Sequence, residues 1–297
     1  MSSLHKQARK VETGELTLAI NAAEGRLQLV LGRAGSGAEA GPDILAAQDW
    51  QAVAQGAELL APALEQMLRN LKLEARHVGK IAAVTGPGSF TGLRLATVTA
   101  SALARALGAA IVGLEYLPLL AAGAREFLDK SDYFWAVTHA RRGLVYVQSF
   151  SNNRDHQARQ ARSSVVELLP VHPLSVLRLE ELPELLAAIT AFNSALCSNS
   201  VIFGSGLSKN LEALAPELGR VCAGLRLMPH CLDHPSPRLL LGAALAASPG
   251  KDGQGDLVPL YARASDAEDN LPQIADNLGL DRDYARARLV GLLNTPV

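Results

Sequence analysis

The sequence predicts an α/β protein of two similar lobes, each a mixed sheet with helices packed against it. Three observations carry that expectation. Short apolar runs alternate with stretches of helical periodicity, the order of an α/β chain. The order strand, glycine turn, helix occurs twice, through Ile81–Leu107 and again through Ser200–Leu218. One constant shift also places Asn21 on His139, Ala22 on Ala140 and Gly25 on Gly143, and Gly86 on Gly204, Gly88 on Gly206 and Leu93 on Leu211. A register shared by two hairpin turns and two glycine turns marks an internal duplication, and two copies imply a cleft between them.

Element by element, Leu16–Ile20 and Leu27–Gly32 read as strands around the turn Asn21–Gly25, followed by a Gly/Ala-rich connection over Arg33–Gln48. Gln51–Leu71 is helical, with Leu60, Ala63, Leu64, Met67, Leu68 and Leu71 on one apolar stripe. Pro62 either kinks that helix or lies in its first turn. A strand over Ile81–Thr85, a turn over Gly86–Gly92 and a helix over Leu93–Leu107 follow, then a strand at Ala110–Leu114 and a helix at Leu117–Phe127.

The second copy opens with strands Phe134–Thr138 and Leu144–Phe150 around the turn His139–Gly143. An exposed polar loop is expected over Asn152–Ser164, a strand over Val165–Leu169 and a helix over Glu181–Phe192. Ser200–Phe203 is then a strand, Gly204–Gly206 a turn and Leu207–Leu218 a helix. Pro237 opens a helix over Arg238–Ala247, Leu257–Tyr261 is extended, and an acidic segment precedes an amphipathic helix around Tyr284–Leu293. The domain reading is a disordered N-terminus (1–14), lobe I (15–115, with a return helix 237–248), lobe II (116–236) and an extension (249–297).

Composition narrows the function classes. At 297 residues the chain can bury a sizeable core. A net charge of -1 offers no bulk attraction to nucleic acid or anionic membrane. Three cysteines (Cys197, Cys222, Cys231) without a Cys-x-x-Cys pair argue against a disulfide framework and read as packing or incidental thiols. No apolar run suits a signal peptide or a membrane span, so a soluble, cytoplasmic protein is expected.

The stretch from Gly86 to Gly92 carries the chemistry that the sequence offers. Its glycines reach backbone angles closed to other residues, Pro87 fixes its own, and Ser89 or Thr91 can cap the following helix. Such a turn can aim N–H groups at an anion beside a helix N-terminus. Two well-known readings fail: a P-loop needs Lys where Leu93 stands, and a dinucleotide fingerprint needs a last gap one residue shorter. A plainer reading stays open, that the glycines let the helix pack close to its sheet.

Gly86-Pro-Gly-Ser-Phe-Thr-Gly-Leu-Arg94 resembles the hallmark of the bacterial TsaB family, the scaffold proteins of tRNA threonylcarbamoyladenosine biosynthesis. Leu18-Ala-Ile-Asn-Ala22, His139-Ala-Arg-Arg-Gly-Leu-Val-Tyr146, Phe203-Gly-Ser-Gly206 and Pro259-Leu-Tyr-Ala-Arg263 extend the resemblance from about Leu16 to Arg263. It implies a duplicated actin-like fold, as in the sugar-kinase-like and Hsp70-like ATPases. It also implies a non-catalytic subunit that binds and activates a TsaD-type threonylcarbamoyltransferase. That enzyme forms N6-threonylcarbamoyladenosine in tRNAs reading codons that start with A, and a TsaE-type ATPase completes the assembly. Contact with tRNA is then only indirect.

Departures from the pattern support the scaffold reading. The resemblance leads one to expect Asp where Asn21 and His139 stand, to hold a metal hydration shell or act as base. Losing a general base costs about 10²–10⁴-fold in rate. No His-x-x-x-His pair appears around Gln55–Leu60. The site residues expected are thus the glycine-turn motif Gly86, Pro87, Gly88, Ser89, Phe90, Thr91, Gly92 and Arg94, with Asn21, His139, Gly204, Ser205 and Gly206 lining a vestigial nucleotide cleft. No cofactor is required, and ATP or ADP is expected to bind weakly or not at all. Leu60, Ala63, Met67, Leu93, Thr97 and Ala100 are expected to form helix faces that pair two copies, the transferase replacing the second copy.

His230, Cys231, Asp233 and His234 have ligand chemistry without ligand spacing and read as a surface turn. Arg141 and Arg142 read as solvated charges. Two enzyme classes compete with the scaffold: a kinase-like or carbamoyl-transferring ATPase, which lacks its carboxylates, and a glycoprotease-like metallopeptidase, which lacks its His pair.

Overall fold

The computed structural model describes residues 11–36, 40–51, 56–127, 133–141, 143–151, 168–192, 200–249, 255–262, 275–277, 281 and 283–284. Five strands, β1 (Leu16–Asn21), β2 (Leu27–Arg33), β3 (Asp43–Trp50), β4 (Val78–Gly86) and β5 (Ala110–Glu115), make one sheet in the order β3-β2-β1-β4-β5. Another five, β6 (Tyr133–Arg141), β7 (Leu144–Ser151), β8 (Leu169–Arg178), β9 (Ser200–Phe203) and β10 (Arg226–Leu227), make a second in the order β10-β9-β6-β7-β8. Place for place these are one plan. β1 pairs antiparallel with β2 and parallel with β4, as β6 does with β7 and β9. The protein is a duplicated two-lobe α/β fold.

The shared sequence shift is nevertheless only partly structural. Applied to the pair Ile20 and Ala83, which lie opposite each other, it would bring Thr138 opposite Val201. Val201 instead faces Phe134, four residues earlier. The hairpins differ in length: the first turns through Ala22–Arg26, whereas β6 runs on to Arg141 and pairs it with Leu144. With the glycine turns superposed, the position equivalent to Asn21 is Trp135, not His139.

In the first lobe every residue of β1 is buried, as a strand covered on both faces requires. On one face α1 (Gly56–Asn70) and α2 (Phe90–Leu107) bring Leu60, Ala63, Met67, Ala96, Ala100 and Ala104 against Leu18, Ile20, Leu29 and Ile81. The small residues of α2 thus let it lie close on its own sheet. This corrects the expected pairing faces: Leu60, Ala63, Met67, Leu93, Thr97 and Ala100 are all buried within the chain itself. What α2 leaves exposed includes Phe90, Thr91, Arg94, Val98 and Ala102.

Helix α3 (Tyr116–Phe127) leads into the second lobe and packs on β6. There α4 (Leu182–Phe192), α5 (Ser205–Ser208) and α6 (Leu211–Val221) cover β6, β7 and β9 through Leu186, Leu207, Leu214 and Leu218, packed on Trp135, Val137, Val147 and Ile202. α7 (Pro237–Ala246), capped by Ser236 Oγ accepting from the Leu239 amide, returns to pack on β1 and β2.

Other expectations need correction. Arg33–Gln48 holds most of strand β3, an edge strand disguised by its two alanines and by polar residues that do not alternate. β8 begins where the strand over Val165–Leu169 was expected to end; residues 165–167 lie outside the described residues. The helix expected over Leu207–Leu218 is two helices, interrupted at Lys209 and Asn210. Pro62 lies inside α1 rather than in its first turn. Cys222 is buried but disulfide-bonded rather than a packing or incidental thiol, a bond that no short cysteine spacing announces; Cys231 is free and exposed. Arg142, Cys197, the loop 152–164, Arg263 and residues 1–10 fall outside the described residues. Tyr261–Val297 is a separate unit, helical at 275–277. No described helix is long and apolar enough to cross a membrane.

Candidate functional site

The first hairpin is stapled from inside. Asn21 is buried; its Nδ2 donates to Gln28 Oε1 at 2.7 Å and its Oδ1 accepts from the Ala23 amide at 3.0 Å. Gln28 Nε2 in turn donates to Asp49 Oδ2 and to the Pro235 carbonyl, both at 3.0 Å. Asp49 closes the chain with Arg26, whose Nε and Nη2 reach its two oxygens at 2.6 and 2.8 Å. Asn21 therefore serves its own turn, with both its side-chain oxygen and nitrogen engaged inside the hairpin.

The glycine turn over Gly86–Gly92 closes on that hairpin. The Ser89 amide donates to the Ala23 carbonyl at 2.5 Å. A Cβ on Gly88 would collide with the Ala23 carbonyl, and one on Gly92 with the Ala22 carbonyl. Gly86 has φ 132°, open only to glycine, and Gly204 matches it at 112°. Ser89, not Thr91, caps α2, its Oγ accepting from the Gly92 amide at 3.4 Å. Pro87 is buried beside the turn, while the Arg94 guanidinium lies over the Phe90 ring at 4.2 Å. The donor that an anion would need at Ser89 is spent on the chain, so the plainer reading of these glycines, close packing, is the one the geometry favours.

Between the two lobes stands a residue that the sequence did not single out. Glu24, in the first hairpin turn, has a side chain only 4% exposed. Its Oε1 accepts the His139 amide at 3.1 Å and the Ser205 hydroxyl, both from the second lobe. Its Oε2 accepts the Tyr116 hydroxyl at 3.0 Å. Burial pushes the carboxyl up to about 7, against the pull of Ser205, Tyr116, Lys209 and His139. The Tyr116 hydroxyl also lies 3.1 Å from His234 Nδ1. His234 approaches Glu24 Oε2 at 3.9 Å, but burial takes the ring down to about 4, so near neutral pH this is no ion pair.

The cleft residues expected from sequence are thus partly brought together. Ser205 takes part through its hydroxyl. His139 does so through its amide, donating also to Ser205 Oγ at 2.9 Å, while burial first and Lys209 second lower its ring pKa. Gly204 and Gly206 permit the approach, since a Cβ on Gly204 would strike the Val137 carbonyl. Asp233 and His234 turn inward: Asp233 Oδ1 accepts from Ser208 Oγ at 2.8 Å, and burial raises the carboxyl's pKa. The cleft is therefore not stripped of charge-handling groups, as the departures at Asn21 and His139 implied. A charged residue in a hairpin turn is usually solvated, so nothing in Asn21-Ala-Ala-Glu-Gly25 marks Glu24 out. Arg141 lines a separate cavity of about 830 Å³ in the second lobe, with Leu144, Arg178, Leu179 and Leu214.

Comparison with known proteins adds the family. A family model described as TsaD, tRNA N6-adenosine threonylcarbamoyltransferase, matches residues 51–267. The chain belongs to this family. Among its relatives are two named tRNA threonylcarbamoyladenosine biosynthesis protein TsaB, which agrees with the TsaB resemblance of the motifs. The Bacillus subtilis protein is 34% identical over 29% of this chain and 36% of its own length. The Buchnera aphidicola protein is 31% identical over 32% of this chain and 44% of its own length. The match thus spans less than half of either curated relative. Two solved structures from Pseudomonas aeruginosa share the fold. One is a protein described as similar to peptidase YeaZ, with TM-score 0.58 and 20% identity over 84% of this chain and 100% of its own. The other is YeaZ, with TM-score 0.57 and 18% identity over 83% and 99%.

Proposed function

We propose that the chain is a non-catalytic subunit in the formation of N6-threonylcarbamoyladenosine in tRNA, where it binds and activates a TsaD-type transferase. The observation that carries this reading is the state of the cleft donors. The Ser89 amide serves Ala23, and the His139 amide and Ser205 hydroxyl serve Glu24. A nucleotide phosphate entering there would have to displace a buried carboxylate, so weak or absent ATP binding follows. Membership of the TsaD family and the TsaB names of its relatives supply the pathway. Contact with the partner, or with a second copy in its absence, falls to the exposed face of α2, where Val98 is 66% exposed between Arg94 and Ala102. A TsaE-type ATPase is reached through the complex, and tRNA through the transferase.

One observation favours a second reading, an ATPase that works in its own cleft. A buried carboxyl with a pKa near 7 is what a general base looks like. Reconstitution separates the two. Modification of tRNA by a TsaD-type transferase and a TsaE-type ATPase should require this chain, while the chain alone should leave ATP unconsumed. Steady hydrolysis by the isolated chain would install the second reading in place of the first.

A further inference from the structure

Glu24 belongs to the first lobe by sequence and to the second by its bonds. Its backbone sits in the β1–β2 turn, which α2 holds through Ser89 and Ala23. Its carboxyl accepts from the amide of His139 at the end of β6 and from the hydroxyl of Ser205 at the start of α5. Tyr116, at the first position of the helix that joins the lobes, donates to the other oxygen. Three donors from three elements thus converge on one buried acceptor, and the His139 amide is held in place by the pairing of β6. The same loop makes no other side-chain bond to the second lobe among those described.

We infer that Glu24 is a latch between the lobes: its carboxyl group fixes the angle at which the two hairpins face each other, and its removal lets the cleft open without unfolding either lobe. Tyr116 is the positioning residue of the latch. When Glu24 is ionised, the phenol donates to Oε2. When Glu24 is protonated, its own O–H donates to the phenol oxygen, and the phenol turns its hydrogen to His234 Nδ1, 3.1 Å away. Each arrangement keeps the hydrogen bond between the carboxyl and the phenol, so the latch holds across the change of protonation. The inference is independent of any transferase, since it concerns the isolated chain.

Amide hydrogen exchange on Glu24→Ala tests it. Loss of the carboxyl should speed exchange of peptides containing His139 and Ser205 by about tenfold, the effect of one hydrogen bond of ordinary strength. Peptides over Ala96–Ala104 in α2 should exchange as in the unaltered chain. Equal exchange at His139 in variant and parent overturns the inference, and so does a uniform increase that includes α2, which means a structural residue and not a latch. If Glu24→Ala does not fold, Ser205→Ala removes only the hydroxyl and is read in the same way. Tyr116→Phe supplies the positioning test: it should raise exchange at His139 below pH 7 more than above it, because the protonated carboxyl then loses its route to His234. A pH-independent effect denies Tyr116 that role.

Discussion

Asn21 and Gln28 face each other across the first hairpin, and the 2.7 Å bond from the Asn21 amide nitrogen to the Gln28 carbonyl oxygen fixes which way round both amides stand. Gln28 Nε2 is thereby left to Asp49 and to the Pro235 carbonyl. An Asp at position 21 reverses this. It can only accept, so Gln28 must either turn its nitrogen towards it and abandon two acceptors or face it oxygen to oxygen. Asn21→Asp should therefore destabilise the fold by about 1–3 kcal/mol, the cost of leaving buried polar groups unpaired. Urea unfolding of the two proteins measures it. Equal midpoints and slopes would mean the staple contributes nothing.

The pH dependence of stability follows from two buried groups of opposite sense. Glu24 has its folded pKa raised from 4.5 to about 7, so its contribution is fully present below 4.5 and is lost as pH rises through 7. His234 has its folded pKa lowered from 6.5 to about 4, so its contribution is present above 6.5 and is lost as pH falls through 4. Between these limits the two slopes oppose each other, with Lys209, Arg26, Asp49, Asp233 and His139 as the neighbouring charges. His234→Asn should uncover Glu24: stability should fall from pH 4.5 to 7 by an amount on the order of 3 kcal/mol. Glu24→Gln should uncover His234, with stability rising from pH 4 to 6.5, by less because that ring is partly open to solvent. Denaturant midpoints across this range decide it; parallel pH profiles in the two variants would refute both assignments.

On α2, neighbouring residues should behave in opposite ways. Ala100 is fully buried against the sheet, so Ala100→Arg should abolish folding by forcing a charge into the core. Val98 is largely exposed, so Val98→Glu should change stability by less than about 0.5 kcal/mol. It should nonetheless prevent capture of a TsaD-type transferase and self-association of the chain. Sizing by light scattering and a pull-down with the purified transferase check both. A Val98→Glu protein that still binds its partner would move the contact away from this face.

How much of this was readable beforehand depends on whether one segment decides the outcome. The turn at Gly86–Gly92 and the strand before it announce themselves, because buried parallel strands are continuous apolar runs and the turn needs glycines. The duplicated plan was readable for the same reason. β3 was not, since Asp43-Ile-Leu-Ala-Ala-Gln-Asp-Trp50 becomes a strand only by pairing with β2. Nor was the burial of Thr97 and Ala100 distinguishable from a helix–helix seam, because small residues serve both purposes equally. Glu24 is the extreme case. Its partners His139, Ser205 and Tyr116 lie far along the chain, so only tertiary structure turns a turn residue into a buried carboxyl. The hairpin landmark slipped by four residues because a sequence shift cannot see that β6 continues where β1 stops.

Two glycines in helices separate packing from backbone freedom, and with it the two readings of the glycine turn. Gly92 lies in the first turn of α2, and a Cβ there would collide with the Ala22 carbonyl of the hairpin. Gly219 lies inside α6, and a Cβ there would meet nothing within 4 Å. Neither has a positive φ, so alanine is not strained at either position by its backbone angles. Gly219→Ala should then stabilise the protein by about 0.5–1 kcal/mol, the usual gain from restricting the unfolded chain in a helix. Gly92→Ala should instead destabilise it by about 1–3 kcal/mol, the cost of overpacking a well-filled contact. Thermal or urea unfolding of both variants gives the comparison. If Gly92→Ala were as well tolerated as Gly219→Ala, the hairpin would not lie against the helix start, and the glycine would have to be explained by a bound anion after all.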